Sequence, residues 1–217
     1  QSTQIFFKNG DTDFFFNWLL GIGEIFGFSH GELYYLAQRL GNSPKPDDWK
    51  NVFLSHVNYL EQEASNSGLS EQTKAQYYLA QTYSLRSAIQ FTDPFSEEYL
   101  PTVRQMEKVF SSAIHSLGAP IEKLTIPYQG SYLPGYYLHS DDNCPTIIMI
   151  GGGDTYREDL FYFAGYPGWI RNYNVLMVDL PGQGSNPSRG LVFDVDASIP
   201  ISLCIDWLEN RNPKLNY

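Results

Sequence analysis

Three short segments of this chain carry residue types at spacings that could do chemistry. The first is Gly151-Gly152-Gly153-Asp154, which follows the apolar run Thr146–Ile150. Glycines let a substrate come close to the backbone, and their N–H groups can be aimed where negative charge develops, as an oxyanion hole needs. The plainer role of the same triplet is tight packing of a strand against a helix. The second segment is Asp179-Leu180-Pro181-Gly182-Gln183-Gly184, at the end of another apolar run, Asn174–Val178. The third is Gly27-Phe28-Ser29-His30-Gly31, the Gly-x-Ser-x-Gly spacing of a nucleophile elbow. Nothing before it reads as a buried strand, however, and Glu32 stands three residues after Ser29. That is the spacing of a helix capping box, and capping is the role expected for Ser29.

A dinucleotide fingerprint competes for the first two segments, with Gly151-x-Gly153 opening it and Asp179 holding a ribose. The third glycine would then fall at Tyr156, a bulky residue, and Asp179 lies later than the usual spacing of ~20 residues. Asp154, Arg157 and Glu158 gather where a helix should begin. Acids suit the positive end of a helix dipole, and a local ion pair with Arg157 is expected. The functional alternative is that Asp154 or Glu158 rims a substrate pocket. His30, His56, His115 and His139 are scattered, with no acidic partner at a useful spacing, and read as surface or half-buried side chains. Neither His-x-x-x-His nor Cys-x-x-Cys occurs, so no metal and no cofactor is expected.

These segments need elements to hold them. Thr146–Ile150 and Asn174–Val178 are too short for helices and read as strands buried on both faces of a parallel sheet. Between them, Leu160, Phe161 and Phe163 keep helical spacing. Strand, glycine turn, helix, strand and glycine turn make a βαβ unit whose turns both lie at the carboxyl edge of the sheet, where doubly wound folds bind ligands. Ahead of this unit the pattern predicts a β-hairpin from Ile121–Ile126 and Leu133–Leu138, turning at Gln129-Gly130. After it, residues 195 to 208 read as a helix with Ile201, Ile205 and Leu208 on one face.

Residues 12 to 117 read as helices in antiparallel hairpins. Ser29, Ser70 and Ser96 are expected caps, Asp47-Asp48 a helix start, and Gly118 the final stop. Phe14–Phe28 is apolar, but Asn17, Gly21, Gly23 and Glu24 interrupt it and no basic region precedes it, so it does not read as a membrane span or signal.

An apolar content of 42%, with 16% aromatics, over 217 residues is that of a globular chain with room for a sizeable core. A net charge of -10 makes nucleic acid and anionic membranes poor partners. Cys144 and Cys204 both sit in or beside apolar runs. Buried thiols in a reducing, cytoplasmic setting are expected rather than a bridge.

The run from Ile147 to Asp154 resembles the strand and oxyanion loop of an α/β-hydrolase, with Gly151-Gly152 where many members have His-Gly. The run from Val178 to Ser185 resembles the next strand and its Asp-x-Pro-Gly-x-Gly turn. With helices ahead of it, the chain is similar to the branch containing 2,6-dihydroxypseudooxynicotine hydrolase and prolyl-oligopeptidase-like hydrolases. The similarity spans residues 120 to 212 most firmly. It implies an α/β fold, with a helical, lid-type domain over 1–118 and the first half of a hydrolase sheet over 119–217. It makes Gly153 the oxyanion donor, with Gly152 and Asp154 shaping the turn. It also implies a serine hydrolase of ester, amide or peptide-type bonds on a small-molecule or short peptide substrate. In that order of elements the serine, acid and histidine would all follow Tyr217. The segment alone is therefore expected to be inactive and to pair with a carboxyl-terminal half or a second copy of itself. A different class of function, a non-catalytic helical interaction domain with an α/β appendage, is the alternative.

Overall fold

Ser, Asp and Pro stand ahead of the apolar stripes in the first half of the chain, and helices start where those residues fall. The structure, a computed structural model, describes residues 4–23 and 29–215. Its leading helices are α1 (Gly10–Gly23), α2 (His30–Leu40), α3 (Pro46–Ala64), α4 (Glu71–Ala88) and α5 (Tyr99–Leu117). Ser29 caps α2: its Oγ accepts the Glu32 amide at 3.2 Å, and its own amide donates to Glu32 Oε2 at 3.0 Å. Ser70 Oγ accepts the Thr73 amide at 3.1 Å and caps α4. Two starts differ from expectation. Helix α3 begins at Pro46 rather than Asp47, because a first-turn residue has no need of an amide donor. Helix α5 begins at Tyr99, since the Ser96 hydroxyl turns back to donate to the Asp93 carbonyl at 2.7 Å. Gly118, at φ +66°, ends α5.

The stripes of these helices bury Phe16, Leu19, Leu36, Phe53, Leu60, Leu79 and Phe110. Each such side chain contributes roughly 1.5–3 kcal/mol relative to exposure. Trp49 is buried among them and stays hydrogen-bonded, its Nε1 donating to the Ser87 carbonyl at 2.8 Å.

Past Gly118 the apolar period changes from helical to alternating. Strand β1 (Ile121–Tyr128) buries Leu124, Ile126 and Tyr128 and exposes the residues between them. Gln129 and Gly130, at φ +46° and +72°, make the two-residue turn into β2 (Ser131–Leu138). Strands β3 (Thr146–Ile150) and β4 (Asn174–Val178) complete a mixed sheet in the order β1-β2-β4-β3. Strand β4 is antiparallel to β2 and parallel to β3, with Ile148 opposite Leu176. Both β3 and β4 were expected to be buried on both faces. Only β4 is, because it pairs on both sides. Among the described residues β3 pairs on one side alone and is half-buried along its length.

The crossover from β3 to β4 is helical but not one regular helix. Helix α6 (Arg157–Leu160) runs into a π-turn over Phe161–Gly165 and then into α7 (Tyr166–Trp169). Pro167 has no amide to donate. Gly165 and Gly168 press on β4: a Cβ on Gly165 would lie 2.8 Å from Met177 Sδ, and one on Gly168 would lie 2.7 Å from Val175 Cγ2. Leu160 and Phe161 are buried, whereas Phe163 is partly exposed. Helix α8 (Ser198–Arg211) starts later than expected, where Asp196 Oδ1 accepts the Ser198 amide at 2.9 Å. It adds Cys204 and Leu208 to a core with Leu124, Leu176 and Val178. Of the two thiols only Cys204 is buried. Cys144 is half-buried, because it lies in the turn before β3 rather than in the strand.

The chain divides into two units, Gln1–Leu117 and Gly118–Tyr217. Among the described residues no helix is long and apolar enough to cross a membrane, and no group of three or more His, Cys, Asp or Glu side chains is gathered as for a metal ion.

Candidate active site

Strands β3 and β4 run parallel, so the loops that leave their carboxyl ends, residues 151–156 and 179–186, meet at one edge of the sheet. In the first loop the glycines do different things. A Cβ on Gly151 would lie 2.5 Å from Thr155 Cβ, so this residue is glycine because the loop folds onto itself there. Nothing lies within 4 Å of a Cβ on Gly153, and none of the three has a positive φ. Gly152, Gly153 and Asp154 are exposed. Packing therefore accounts for Gly151 and leaves Gly153 unexplained by the chain's own needs.

The second loop is built to grip the first. Gln183 is buried; its Nε2 donates to the carbonyls of Gly151 and Gly152 at 3.0 and 2.7 Å, and its Oε1 accepts the Leu180 amide at 2.8 Å. Asp179 is buried too, its Oδ1 accepting the Arg157 amide at 2.6 Å and its Oδ2 facing Arg157 Nη1 at 3.5 Å. Asn186 Nδ2 donates to the carbonyls of Asp179 and Leu180 at 3.0 and 2.8 Å. Gly184, at φ +54°, passes so close to Asp179 that a Cβ would lie 2.3 Å from Oδ2. A carboxylate turned inward in this way is a brace between loop and helix, and it is not presented to a ribose.

The acids at the start of α6 divide sharply. Asp154 is exposed, while Glu158 and Asp159 are buried. Arg157 Nε lies 3.3 Å from Glu158 Oε1, and its guanidinium sits 4.7 Å from the centre of the Tyr136 ring. The Tyr136 hydroxyl donates to Glu158 Oε1 at 2.7 Å. Burial first, then the Glu158 carboxylate, pushes the Tyr136 hydroxyl well above its ordinary pKa, so it remains a neutral donor. The expected ion pair with Arg157 is present, but it is a buried network that includes Asp179 and Tyr136 rather than a surface pair. Glu158 faces this network. Neither Tyr136 nor Gln183 stands out in the sequence, because their partners lie far along the chain, Glu158 for Tyr136 and Gly151 and Gly152 for Gln183.

The other candidates fall elsewhere. Gly27 and Phe28 of the Gly-x-Ser-x-Gly motif lie outside the described residues. Ser29 Oγ donates to Glu32 Oε2 at 2.9 Å, and His56 Nε2 lies 3.7 Å from Glu32 Oε1. This places an acid between serine and histidine, whereas a nucleophilic serine needs the histidine between serine and acid. His56 is buried and stacked on Tyr59, and burial lowers its pKa. His139 Nε2 lies 2.8 Å from Asp142 Oδ1, a local partner three residues away that the scattered spacing had not suggested. The helical unit holds a cleft of about 160 Å³ between Asn9, Thr12, Lys45, Pro46, Trp49 and Phe91, and it gathers no catalytic set.

No protein-family model matches the chain. It is 31% identical over 124 residues to a hydrolase, ffsE, of Aspergillus flavipes, covering 51% of this chain and 28% of that one. It is 27% identical over 224 aligned positions to the hydrolyase poxO of Penicillium oxalicum, covering 97% of this chain and 53% of that protein. The crystal structure of a 2,6-dihydroxy-pseudo-oxynicotine hydrolase superposes with a TM-score of 0.68 at 17% identity, over 90% of this chain and 54% of the other. The chain thus spans about half, or less, of the length of the curated relatives it matches. By its helices-then-sheet order and its β1-β2-β4-β3 sheet the chain has the α/β-hydrolase fold, and it is similar in sequence to proteins named hydrolases, an alpha/beta hydrolase, ucsC, of Acremonium sp. among them.

Proposed function

We propose that this chain supplies the oxyanion side of a serine hydrolase that cleaves an ester, amide or peptide-type bond in a small-molecule or short peptide substrate. The observation that carries the proposal is the exposed Gly152-Gly153-Asp154 loop at the carboxyl end of β3, with open space in front of Gly153. In acyl transfer the attacked carbonyl oxygen becomes negative in the tetrahedral intermediate, and each backbone donor aimed at it is worth about 10²–10³ in kcat. An exposed amide loop anchored from behind meets that need. Similarity to proteins named hydrolases supports the same chemistry. The nucleophile, the acid and the histidine are proposed to come from sequence after Tyr217. Residues 1–118 are proposed as a lid-type domain and 119–217 as part of the catalytic one. Two thiols that form no disulfide suit a cytoplasmic setting.

The experiment is a fluorophosphonate probe applied to the protein with its downstream sequence, beside the 217-residue chain alone. Labelling of one serine after Tyr217, with none in the shorter chain, is expected. A folded longer protein that takes no label contradicts the proposal. So does saturable p-nitrophenyl acetate turnover by the shorter chain that disappears in Ser29→Ala.

A further inference from the structure

We infer that Gln183 is a positioning residue, which sets the direction of the Gly152 and Gly153 amides and so builds the oxyanion hole from behind. The inference rests on the serine-hydrolase reading and adds to it a residue in the next loop along the chain. In a trans peptide the C=O and the N–H point in opposite directions. The Gly151 carbonyl shares its peptide plane with the Gly152 amide, and the Gly152 carbonyl shares its plane with the Gly153 amide. Both carbonyls are held by one nitrogen, Gln183 Nε2, at 3.0 and 2.7 Å. Both amides must therefore point away from Gln183, toward the exposed side of the loop. Successive N–H groups facing the same way form a concavity suited to an anion.

The side chain that does this is fixed in turn. Gln183 is 5% exposed, and its Oε1 is occupied by the Leu180 amide at 2.8 Å, which settles which end of its amide faces the glycines. The loop that carries it is fastened by Asn186 to the carbonyls of Asp179 and Leu180. Asp179 ties it to the amide of Arg157, at the far end of the glycine loop. The Gly152 carbonyl also accepts the Thr155 amide at 3.2 Å, so the plane that depends most on Gln183 is that of Gly151 and Gly152, which glycine would otherwise let rotate at little cost. Neither oxygen nor carbon at this position can substitute for the two N–H donors. Gln183→Met keeps the length and removes both, and Gln183→Glu keeps the acceptor for Leu180 while setting a carboxylate against two carbonyl oxygens.

The test uses the protein with its downstream sequence and p-nitrophenyl acetate as substrate. For Gln183→Met, kcat should fall about 100-fold with KM changed by less than about threefold, since the ground-state carbonyl makes little use of the donors. For Gln183→Glu, the ratio of its kcat to that of the unmodified protein should rise as the pH falls, because the protonated carboxyl recovers one donor; a purely structural role would leave that ratio flat. A folded Gln183→Met protein with kcat within about threefold of the unmodified one overturns the inference. Should the variants not fold, the unmodified protein labelled with 15N-glycine decides: phenylboronic acid should shift the Gly152 and Gly153 amide resonances, and unmoved resonances overturn the inference. An unmodified protein that no fluorophosphonate labels overturns the underlying reading as well, whereas a labelled protein with an active Gln183→Met variant overturns this inference alone.

Discussion

Gly184→Ala should be far more damaging than Gly190→Ala, although both glycines lie in the left-handed region, at φ +54° and +79°. A methyl at 190 meets nothing within 4 Å, so its cost is the backbone's alone, about 1–2 kcal/mol. A methyl at 184 bears the same backbone cost and would also sit 2.3 Å from Asp179 Oδ2 and 2.7 Å from its Cγ. Asp179 cannot step aside, because it is 1% exposed and its Oδ1 is held 2.6 Å from the Arg157 amide. Overpacking of a rigid site adds about 1–3 kcal/mol. Gly184→Ala should therefore unfold at a urea concentration lower than Gly190→Ala by about 1 M, taking roughly 2 kcal/mol against a slope of about 2 kcal/mol per molar. Circular dichroism and tryptophan fluorescence would follow both transitions. Equal midpoints would show that the Asp179 carboxylate is not locked, and the brace between the second loop and α6 would fall with it.

Ser29→Ala should cost about 1 kcal/mol of stability and leave the hydrolytic rate unchanged, because the hydroxyl serves the α2 cap; rate and urea midpoint measured together decide this. Iodoacetamide should alkylate the half-buried Cys144 first, and Cys204 only on unfolding, since burial pushes the Cys204 thiol up to about 12; peptide mass mapping reads the order. His56 should make the chain less stable in acid. Burial lowers its folded pKa, with Arg39 adding to and Glu32 opposing the shift, so the unfolded chain binds the extra proton. Its stability contribution is then complete above the unfolded value of about 6.5 and lost as the pH falls through the lowered folded value. His56→Phe should flatten the slope of stability against pH in that window, and an unchanged slope would remove His56 as its source.

The sequence was most readable where one local rule acts alone. Ser29 with Glu32, Ser70, Gly118 and the Gln129-Gly130 turn each depend on a few adjacent residues, and each is where the pattern puts it. The βαβ order was readable because short apolar runs end in glycine turns. Ser96 misled because its hydroxyl has a closer acceptor in Asp93, and Phe163 because the π-turn shifts the helical phase. The half-exposure of β3 depends on which strands flank it, and no residue within Thr146–Ile150 encodes that. Within the site, the sequence pointed to the Gly152-Gly153-Asp154 turn through its glycines, while the Gln183 contacts span about 30 residues and leave no local trace. Arg157, Glu158 and Asp179 look like solvent-facing charges in sequence; only the fold brings them together with Tyr136 in a buried network.

The most direct measurement is a crystal structure of the protein with its downstream sequence, after reaction with a fluorophosphonate. The adduct's phosphoryl oxygen carries charge where the tetrahedral intermediate would. It should lie about 2.7–3.1 Å from backbone amides of the Gly152-Gly153-Asp154 loop, the distance at which such donors act. Gln183 Nε2 should still hold the carbonyls of Gly151 and Gly152. A phosphoryl oxygen bound elsewhere, with that loop turned away from the labelled serine, would contradict the account.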